Sequence, residues 1–250
     1  MTPAAHSKAI LVTGGAKRIG AAISRTLHAA GANVVIHCNT SRTEADKLAA
    51  ELNAARAKSA AVVQGNLAAS NALKGLVDQA ASLFGRLDGL VNNASVFYAT
   101  PMGGINEDQW IDLMGTNLLA PLFLSQAAVP YLTKTQGAIV NIVDIHAERP
   151  LKDYTVYNMT KAGLAGLTRS LALELGPNIR VNGVSPGAII WPETGNDYPE
   201  AERERIVNQV PLKRVGGGED IAGAVKYLML DAPYVSGQIV AVDGGRGIVL

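Results

Sequence analysis

The chain has 250 residues, of which 48% are hydrophobic and 17% are charged, and its formal net charge is +1. This composition excludes a disordered chain, and the near-neutral charge offers no broad electrostatic footprint for nucleic acid or an anionic membrane. The single cysteine, Cys38, excludes an intrachain disulfide and a cysteine-based zinc site. The first residues lack the pattern of a signal peptide, and no apolar run approaches the roughly 18 residues that span a bilayer. We therefore expect a soluble, cytoplasmic protein without a metal.

Short β-rich runs alternate with longer segments of helical period along the chain. Most of the runs are apolar throughout, which is typical of strands covered on both faces. Helical segments such as IGAAISRTLHAA and KAGLAGLTRSLALEL lie between them. The alternation predicts one α/β domain over residues 1–250, with a doubly wound, seven-stranded, mainly parallel sheet and helices on both faces. The runs, in chain order, are AILVT, NVVIHC, AAVVQGN, GLVNNA, GAIVNIVD, IRVNGVSP and QIVAVDGG.

In a sheet of this kind, ligands bind beyond the carboxyl ends of the strands, so the residue at each strand end is a binding candidate. These candidates are Gly14, His37, Asn66, Asn93, Asp144 and Pro186. A segment rich in Pro, Gly and acids, WPETGNDYPE at 191–200, precedes a helix that contains Ile206. We expect this segment to be a mobile loop, and we place a substrate loop at about residues 188–210.

The first run leads into a glycine-rich turn, TGGAKRIG at 13–20. Glycines between a strand and a helix let the backbone approach a pyrophosphate, and the helix N-terminus attracts its charge. Arg18 occupies the middle glycine position of the pattern TGxxxGxG. It either contacts a ligand or is a solvated residue at the start of the helix. We favour the contact because Lys17 precedes it and no acid lies nearby in the sequence.

The second run ends in HCNTSR, His37 to Arg42, which contains no acidic residue. A protein that binds NAD usually has Asp or Glu here for the ribose 2′-hydroxyl, and that acid would repel a 2′-phosphate. Ser41 offers a hydroxyl and Arg42 a planar, bidentate donor. Ser41 also suits the N-cap of the next helix, and the two roles are compatible. The stretch predicts NADPH or NADP+ as the cofactor.

Tyr157 and Lys161 lie four residues apart in YNMTK, so a helix places them on one face. A phenol has a pKa of about 10, and a nearby ammonium favours its ionised form, which brings proton exchange closer to neutrality. The alternative is two residues on a solvated helix face, and for YxxxK alone it is the better interpretation. The glycine turn, the NNAS run at 92–95 and Asp144 at a strand end together favour a catalytic pair.

These motifs resemble the short-chain dehydrogenase/reductase family in order and spacing over essentially the whole chain. They are TGxxxRxG, NNAS, Asn117, YxxxK and SPG at 185–187. Within the family the chain is most similar to the pteridine reductases, through Arg18, Phe97 and Asp144 and the runs NNASVFY and YTVYNMTKAGLAGLTRS. The resemblance implies a Rossmann-type three-layer sandwich. It also implies a homotetramer formed through long helices at about 106–131 and 153–175.

The resemblance further implies a catalytic set of Asn117, Asp144, Tyr157 and Lys161. Lys161 would hold the nicotinamide ribose and lower the pKa of Tyr157, and Asn117 would hold a water that links Lys161 to solvent. Asn66 stands where the family usually has an Asp, and it keeps a hydrogen-bonding side chain without the charge. The implied cofactor contacts are Gly14, Lys17, Arg18, Ile19, His37, Asn39, Ser41, Arg42, Asn66, Leu67, Asn93, Ala94, Ser95, Tyr157, Lys161, Pro186 and Gly187.

The pteridine reductase pattern also implies substrate contacts. Phe97 would stack on a flat heterocycle against the nicotinamide, although it could instead be a core residue. Asp144 replaces the family's usual serine, whose hydroxyl polarises a ketone oxygen. It could carry a proton and act as an acid, or stay ionised and accept a hydrogen bond from a ring N–H, Tyr157 or water. The implied substrate contacts are Arg18, Ser95, Phe97, Asp144, Tyr157 and Trp191.

Together these residues predict an NADPH-dependent pteridine reductase that transfers hydride to the C=N bond of a 7,8-dihydropterin. Dihydrobiopterin, dihydromonapterin and dihydrofolate are the candidate substrates, and no nucleic acid or membrane partner is expected. A ketone or enoyl reductase of the same family is the first alternative. A non-catalytic NADP-binding sensor is the second, and the intact set of Asn117, Tyr157 and Lys161 counts against it. His146 and Glu148, after Asp144, are interpreted as ordinary solvated residues.

Overall fold

The computed structural model describes residues 7–190 and 199–249 of the chain. Seven strands form its central sheet: β1 (Ala9–Val12), β2 (Asn33–Cys38), β3 (Ala60–Gln64), β4 (Gly89–Asn92), β5 (Ala138–Ile142), β6 (Arg180–Pro186) and β7 (Ile239–Val242). Every neighbouring pair is parallel, and the order across the sheet is β3-β2-β1-β4-β5-β6-β7. The predicted seven-stranded, Rossmann-type α/β fold is confirmed, and the sheet is parallel throughout.

Eight α-helices surround the sheet in the described part of the chain. They are α1 (Arg18–Ala29), α2 (Arg42–Ala55), α3 (Leu73–Phe84), α4 (Glu107–Met114), α5 (Ala120–Thr135), α6 (Thr155–Leu175), α7 (Glu200–Gln209) and α8 (Gly218–Lys226). A π-helical turn, Gly115–Leu119, joins α4 to α5 without a break, which makes this helical segment longer than the predicted 106–131. Ile206 lies in α7, as predicted. None of the helices in residues 7–190 and 199–249 has the length and apolar character needed to cross a membrane.

Strand residues alternate between two apolar layers, one on each face of the sheet. In β1, Ile10 and Val12 pack in the layer that includes residues of α1 and α8, whereas Leu11 packs in the layer that includes residues of α3 and α5. All three are fully buried. Because both faces of β1 are covered, its sequence AILV is apolar throughout instead of alternating. Burial of such surface contributes roughly 25 cal/mol per Å² to folding.

The strand order reverses at β1 and β4, which lie side by side near the middle of the sheet. A crevice opens at such a reversal, beyond the carboxyl ends of the two strands. Thr13 and Asn93 directly follow these strands. The backbone N–H of Asn93 donates to Thr13 Oγ1 at 2.9 Å, and Asn93 Nδ2 donates to the Thr13 carbonyl at 2.8 Å. These bonds tie the two strand ends together and fix the position of the crevice.

Candidate active site

The carboxyl ends of the strands border a cavity of about 740 Å³. This volume lies within the range of roughly 300–1,000 Å³ that is typical of small-molecule and cofactor sites. Residues that follow β1, β2, β4, β5 and β6 all line it, as the strand-end rule predicts. The predicted site residues in its lining are Gly14, Lys17, Arg18, Ile19, Asn39, Ser41, Asn93, Ala94, Ser95, Phe97, Asp144, Tyr157, Lys161, Pro186 and Gly187.

The other predicted site residues lie elsewhere. Those outside the cavity lining are His37, Arg42, Asn66, Leu67 and Asn117. Leu67 is buried in an apolar layer, and Asn66 borders a second, smaller cavity of about 110 Å³. Arg42 is at the surface and forms an ion pair with Asp46, with 2.8 Å between Nε and Oδ2. Trp191 falls outside the described residues, so its predicted role stays a prediction.

The glycine turn has the close packing that the motif predicts. A Cβ at Gly20 would lie 2.0 Å from the Gly14 carbonyl oxygen, so only glycine fits there. Arg18 has a φ of +50°, in the left-handed region that favours glycine, and its guanidinium donates to the Ile190 carbonyl at 2.9 Å. Lys17 pairs with Glu44 at 2.6 Å. An acid therefore lies beside the turn in the fold, although none is near it in the sequence.

Asp144, Tyr157 and Lys161 meet where β5 ends and α6 packs beside it. The Tyr157 hydroxyl donates to Asp144 Oδ2 at 2.7 Å, and the His146 N–H donates to Asp144 Oδ1 at 2.8 Å. Lys161 Nζ donates to the Ile142 carbonyl at 3.0 Å and lies 5.6 Å from the centre of the Tyr157 ring. The spacing of four residues thus places the phenol and the ammonium together, with the carboxylate as the partner of the phenol.

Burial and the Asp144 carboxylate shift the pKa values of Tyr157 and Lys161. Burial first and the carboxylate second raise the pKa of Tyr157 well above 10. Burial lowers the pKa of Lys161 to about 8, against the opposing effect of Asp144. The expectation that Lys161 lowers the pKa of Tyr157 is wrong, because burial and the Asp144 carboxylate raise this pKa instead. The phenol holds its proton at neutral pH and directs it at Asp144.

Asn117 lies in the π-helical turn between α4 and α5, a distortion that is frequent at functional sites, and it is 1% exposed. Its side-chain oxygen accepts from Ser95 Oγ at 3.0 Å and from the Val96 N–H at 2.9 Å. Its side-chain nitrogen donates to the Val96 carbonyl at 2.9 Å and to Thr160 Oγ1 at 3.2 Å. These bonds use the full capacity of the amide. The water that we expect Asn117 to hold would have to bind its backbone carbonyl.

Phe97 combines the two roles that the sequence left open. Its ring stacks on Tyr154, with centroids 4.6 Å apart, and meets Tyr157 edge-on at 4.8 Å. It also packs against an apolar cluster that includes Leu113 and Val156, and it lines the cavity. Contact with two tyrosines holds the ring in one orientation at the cavity wall.

Comparison with known proteins shows which family the chain belongs to. The family model described as enoyl-(acyl carrier protein) reductase matches residues 14–246, which is most of the chain. The chain belongs to the short-chain dehydrogenase/reductase family. The resemblance inferred from TGxxxRxG, NNAS and YxxxK is confirmed, and the protein is an oxidoreductase.

Relatives in this family cover almost the full chain and differ in the substrates that their names state. Pteridine reductase 1 of Leishmania tarentolae is 39% identical, over 99% of this chain and 99% of its own length. The 3-oxoacyl-(acyl-carrier-protein) reductase FabG of Staphylococcus epidermidis is 34% identical, over 96% of this chain and 98% of its own length. An uncharacterized oxidoreductase of Methylorubrum extorquens is 37% identical, over 96% of this chain and 98% of its own length.

Short-chain dehydrogenase/reductases use nicotinamide cofactors, and this cavity fits such a dinucleotide. Gly187 contributes bare backbone to its wall, and no side chain fits at this position because a Cβ there would lie 2.6 Å from Asp243 Cβ. Ser41 lines the cavity from the N-cap position of α2, and its side chain makes no capping hydrogen bond. Its hydroxyl is therefore left for another acceptor or donor. Among the described residues, no group of His, Cys, Asp or Glu is arranged to hold a metal ion.

The cavity lining also includes three charged residues that the sequence motifs do not identify. They are Glu202, Arg205 and Arg246. Arg205 and Glu202, both on α7, form a bidentate pair with distances of 2.7 and 2.6 Å. Arg246 is buried and lies four residues after β7. That place at a strand end is the signal that could have identified it. Glu202 and Arg205 follow no strand, and only the expected substrate loop at about residues 188–210 includes them; the structure shows that part of the segment as the helix α7.

Proposed function

We propose that this protein is an NADPH-dependent pteridine reductase, which reduces the C=N bond of a 7,8-dihydropterin to the tetrahydro form. The observation that carries the proposal is the 2.7 Å hydrogen bond from the Tyr157 hydroxyl to Asp144 at the cavity. A carboxylate at this place accepts hydrogen bonds, whereas the serine usual in the family polarises a ketone oxygen. A dihydropterin carries N–H groups that a carboxylate can bind, and a simple ketone does not.

The reaction adds a hydride to carbon and a proton to nitrogen, and the chain supplies the proton. When bound, a reduced nicotinamide provides the hydride. Tyr157 keeps its proton at neutral pH because burial and Asp144 raise its pKa, and it releases the proton as the nitrogen becomes basic. Because the hydroxyl donates to Asp144 Oδ2, the proton reaches the nitrogen through this carboxylate, which gives one proton to the nitrogen as it takes one from Tyr157. The Lys161 ammonium, 5.6 Å from the phenol ring, offsets the negative charge that remains, and solvent restores the proton.

Substrate recognition in this proposal depends on Phe97 and Asp144. The Phe97 ring is held in one orientation by its stacking on Tyr154. A flat heterocycle that stacks on such a ring gains about 0.5–1.5 kcal/mol beyond its buried area. Asp144 accepts hydrogen bonds from the N–H groups of the same heterocycle. The similarity to pteridine reductase 1 of Leishmania tarentolae, at 39% identity, supports this substrate class.

The preference for NADPH over NADH rests on the residues after β2. Cys38, Asn39 and Ser41 line the cavity there, and no acid stands among them to repel a 2′-phosphate. The nearby Arg42–Asp46 pair is exposed and therefore weak, so a phosphate with nearly two negative charges can replace Asp46.

We expect Arg42→Ala to weaken NADPH binding by at least about tenfold and NADH binding little. Arg25→Ala, which removes a similar exposed pair with Glu51, is the control. Equal losses for both cofactors would refute the assignment.

Steady-state assays with a panel of substrates test the reaction itself. We expect NADPH oxidation with dihydrobiopterin, dihydromonapterin or dihydrofolate, and little with simple ketones or a 3-oxoacyl thioester. Tyr157→Phe should abolish it, because the proton donor is gone. Pterin turnover at background beside rapid ketone reduction would overturn the proposal.

A 3-oxoacyl reductase is the second candidate. The matched family model describes an acyl-carrier-protein reductase, and the Staphylococcus epidermidis relative reduces a 3-oxoacyl group by its name. The same panel separates the two candidates, since a 3-oxoacyl thioester has a ketone and no ring N–H for Asp144 to bind.

A further inference from the structure

His37 lies in β2, the strand between β1 and β3, and its side chain is 1% exposed. Its Nδ1 accepts a hydrogen bond from the Gly14 N–H at 3.1 Å, and its Nε2 lies 3.0 Å from the Gly65 carbonyl oxygen. The backbone carbonyl of His37 also accepts from the Gly15 N–H at 2.9 Å. One residue therefore links the turn that follows β1 to the residue that follows β3.

These contacts determine the form of the imidazole. Because the Gly14 N–H is a donor, Nδ1 must be an acceptor, and the ring proton must lie on Nε2, which then donates to Gly65. Burial lowers the pKa of His37, against the opposing effect of the Gly65 carbonyl. The neutral ring that this pair of hydrogen bonds requires is thus the form present at neutral pH.

We propose that His37 is a positioning residue for the dinucleotide, which it does not touch. By binding the N–H groups of Gly14 and Gly15, it fixes the direction in which the glycine turn leaves β1. The following residues of the turn, Ala16 to Ile19, line the cavity, and their backbone would bind the pyrophosphate of the dinucleotide. The inference revises the expected direct contact of His37 with the cofactor, and it rests on the proposed function.

Three substitutions separate the two hydrogen bonds of the ring. His37→Asn places a side-chain oxygen near the position of Nδ1, so the acceptor for Gly14 is kept and the donor to Gly65 is lost. His37→Gln reaches the position of Nε2 and keeps the bond to Gly65 without the acceptor. His37→Leu keeps neither. Direct titration of each purified variant with NADPH and with NADH, followed by protein fluorescence, gives Kd without any pterin.

We expect His37→Gln and His37→Leu to raise Kd by about tenfold, the effect of a lost buried hydrogen bond, and His37→Asn to stay near the wild-type value. The loss should be equal for NADPH and NADH, because the pyrophosphate is common to both. It should therefore differ from the loss in Arg42→Ala, which removes a contact to the 2′-phosphate alone. At saturating cofactor, kcat for pterin reduction should stay within about threefold of wild type in all folded variants.

If the role of His37 were merely structural, the variants would have a lower Tm, but His37→Asn and His37→Gln would have the same Kd for the dinucleotide. The proposal is overturned if His37→Asn binds the dinucleotide as weakly as His37→Gln does, or if neither variant changes Kd. Both outcomes can be measured even if His37→Leu fails to fold. Failure of the proposed function looks different. In that case the wild type binds the dinucleotide and the Asn–Gln difference persists, while no pterin is reduced.

Discussion

Both carboxylate oxygens of Asp144 accept a hydrogen bond from the chain, one from the Tyr157 hydroxyl and one from the His146 N–H. The carboxylate is therefore held in one orientation at the cavity, with its remaining lone pairs left for a ligand. A serine has the hydroxyl to polarise a ketone but lacks this acceptor capacity. Asp144 is the residue that most narrows the proposed chemistry within a family whose members reduce different groups.

We predict that Asp144→Ser lowers kcat for dihydropterin by at least about 100-fold, the lower end of what general acid–base catalysis contributes. The affinity for NADPH should be preserved, because Asp144 is assigned to the substrate and to Tyr157. Steady-state kinetics and a separate NADPH titration measure the two effects. Glu148→Gln is the matched control, since Glu148 is exposed on the same loop. Unchanged pterin turnover in Asp144→Ser would remove Asp144 from the mechanism.

The charge of Lys161 predicts the alkaline side of the pH profile. Burial lowers its pKa to about 8, so the ammonium is present below that pH and is lost as the pH rises through it. We propose that this charge holds the nicotinamide ribose, so kcat/KM for NADPH should fall above about pH 8. Asp144→Asn removes the charge that raises the pKa of Lys161, and the fall should then begin at lower pH. Profiles between about pH 6 and 10 test this; a fall that begins at higher pH in the variant would contradict it.

At the scale of elements, the turn between β1 and α1 depends on glycine for space. We predict that Gly20→Ala destabilises the protein by about 3 kcal/mol, the upper end of overpacking costs, because its Cβ meets backbone at 2.0 Å. Gly75→Ala in α3 is the control, since no atom lies within 4 Å of its Cβ. It should stabilise the helix by about 0.5–1 kcal/mol. Thermal melting measures both; similar effects of the two substitutions would contradict the packing argument.

The elements themselves are largely predictable, because strands covered on both faces leave continuous apolar runs such as AILV. The carboxyl-end rule then places Gly14, Asn93 and Asp144 at one edge of the sheet. The ion pair of Lys17 with Glu44 was not predictable, because it joins the N-cap of α1 to α2 through tertiary packing. The direction of the Tyr157 pKa was not predictable either, since spacing reveals Lys161 but not the extent of burial or the bond to Asp144.

At the scale of the whole molecule, the strand ends of one sheet border the candidate site, and residues of α6 and α7 complete its lining. Strands β1, β2, β4, β5 and β6 each end beside the cavity, so a register shift between β1 and β5 would move Asp144 relative to the glycine turn. That all seven strands join one sheet supports a single domain over residues 1–250, which stays a prediction. The predictions for Trp191 and for most of the acidic loop stay untested, because the segment 191–198 lies outside the described residues.

The outer surface of the continuous helical segment α4 to α5 exposes large apolar side chains, which mark protein interfaces when they occur together. They are Trp110, Ile111, Leu119, Leu122 and Phe123. We predict a homotetramer, with a mass in light scattering of four times the 26.1 kDa of one chain. Phe123→Glu should lower this mass, because a carboxylate buried between copies without a partner is costly. Leu83→Glu, at an equally exposed apolar position at the end of α3, should not change it. A monomeric wild type, or equal dissociation of both variants, would exclude an interface formed by α4 and α5.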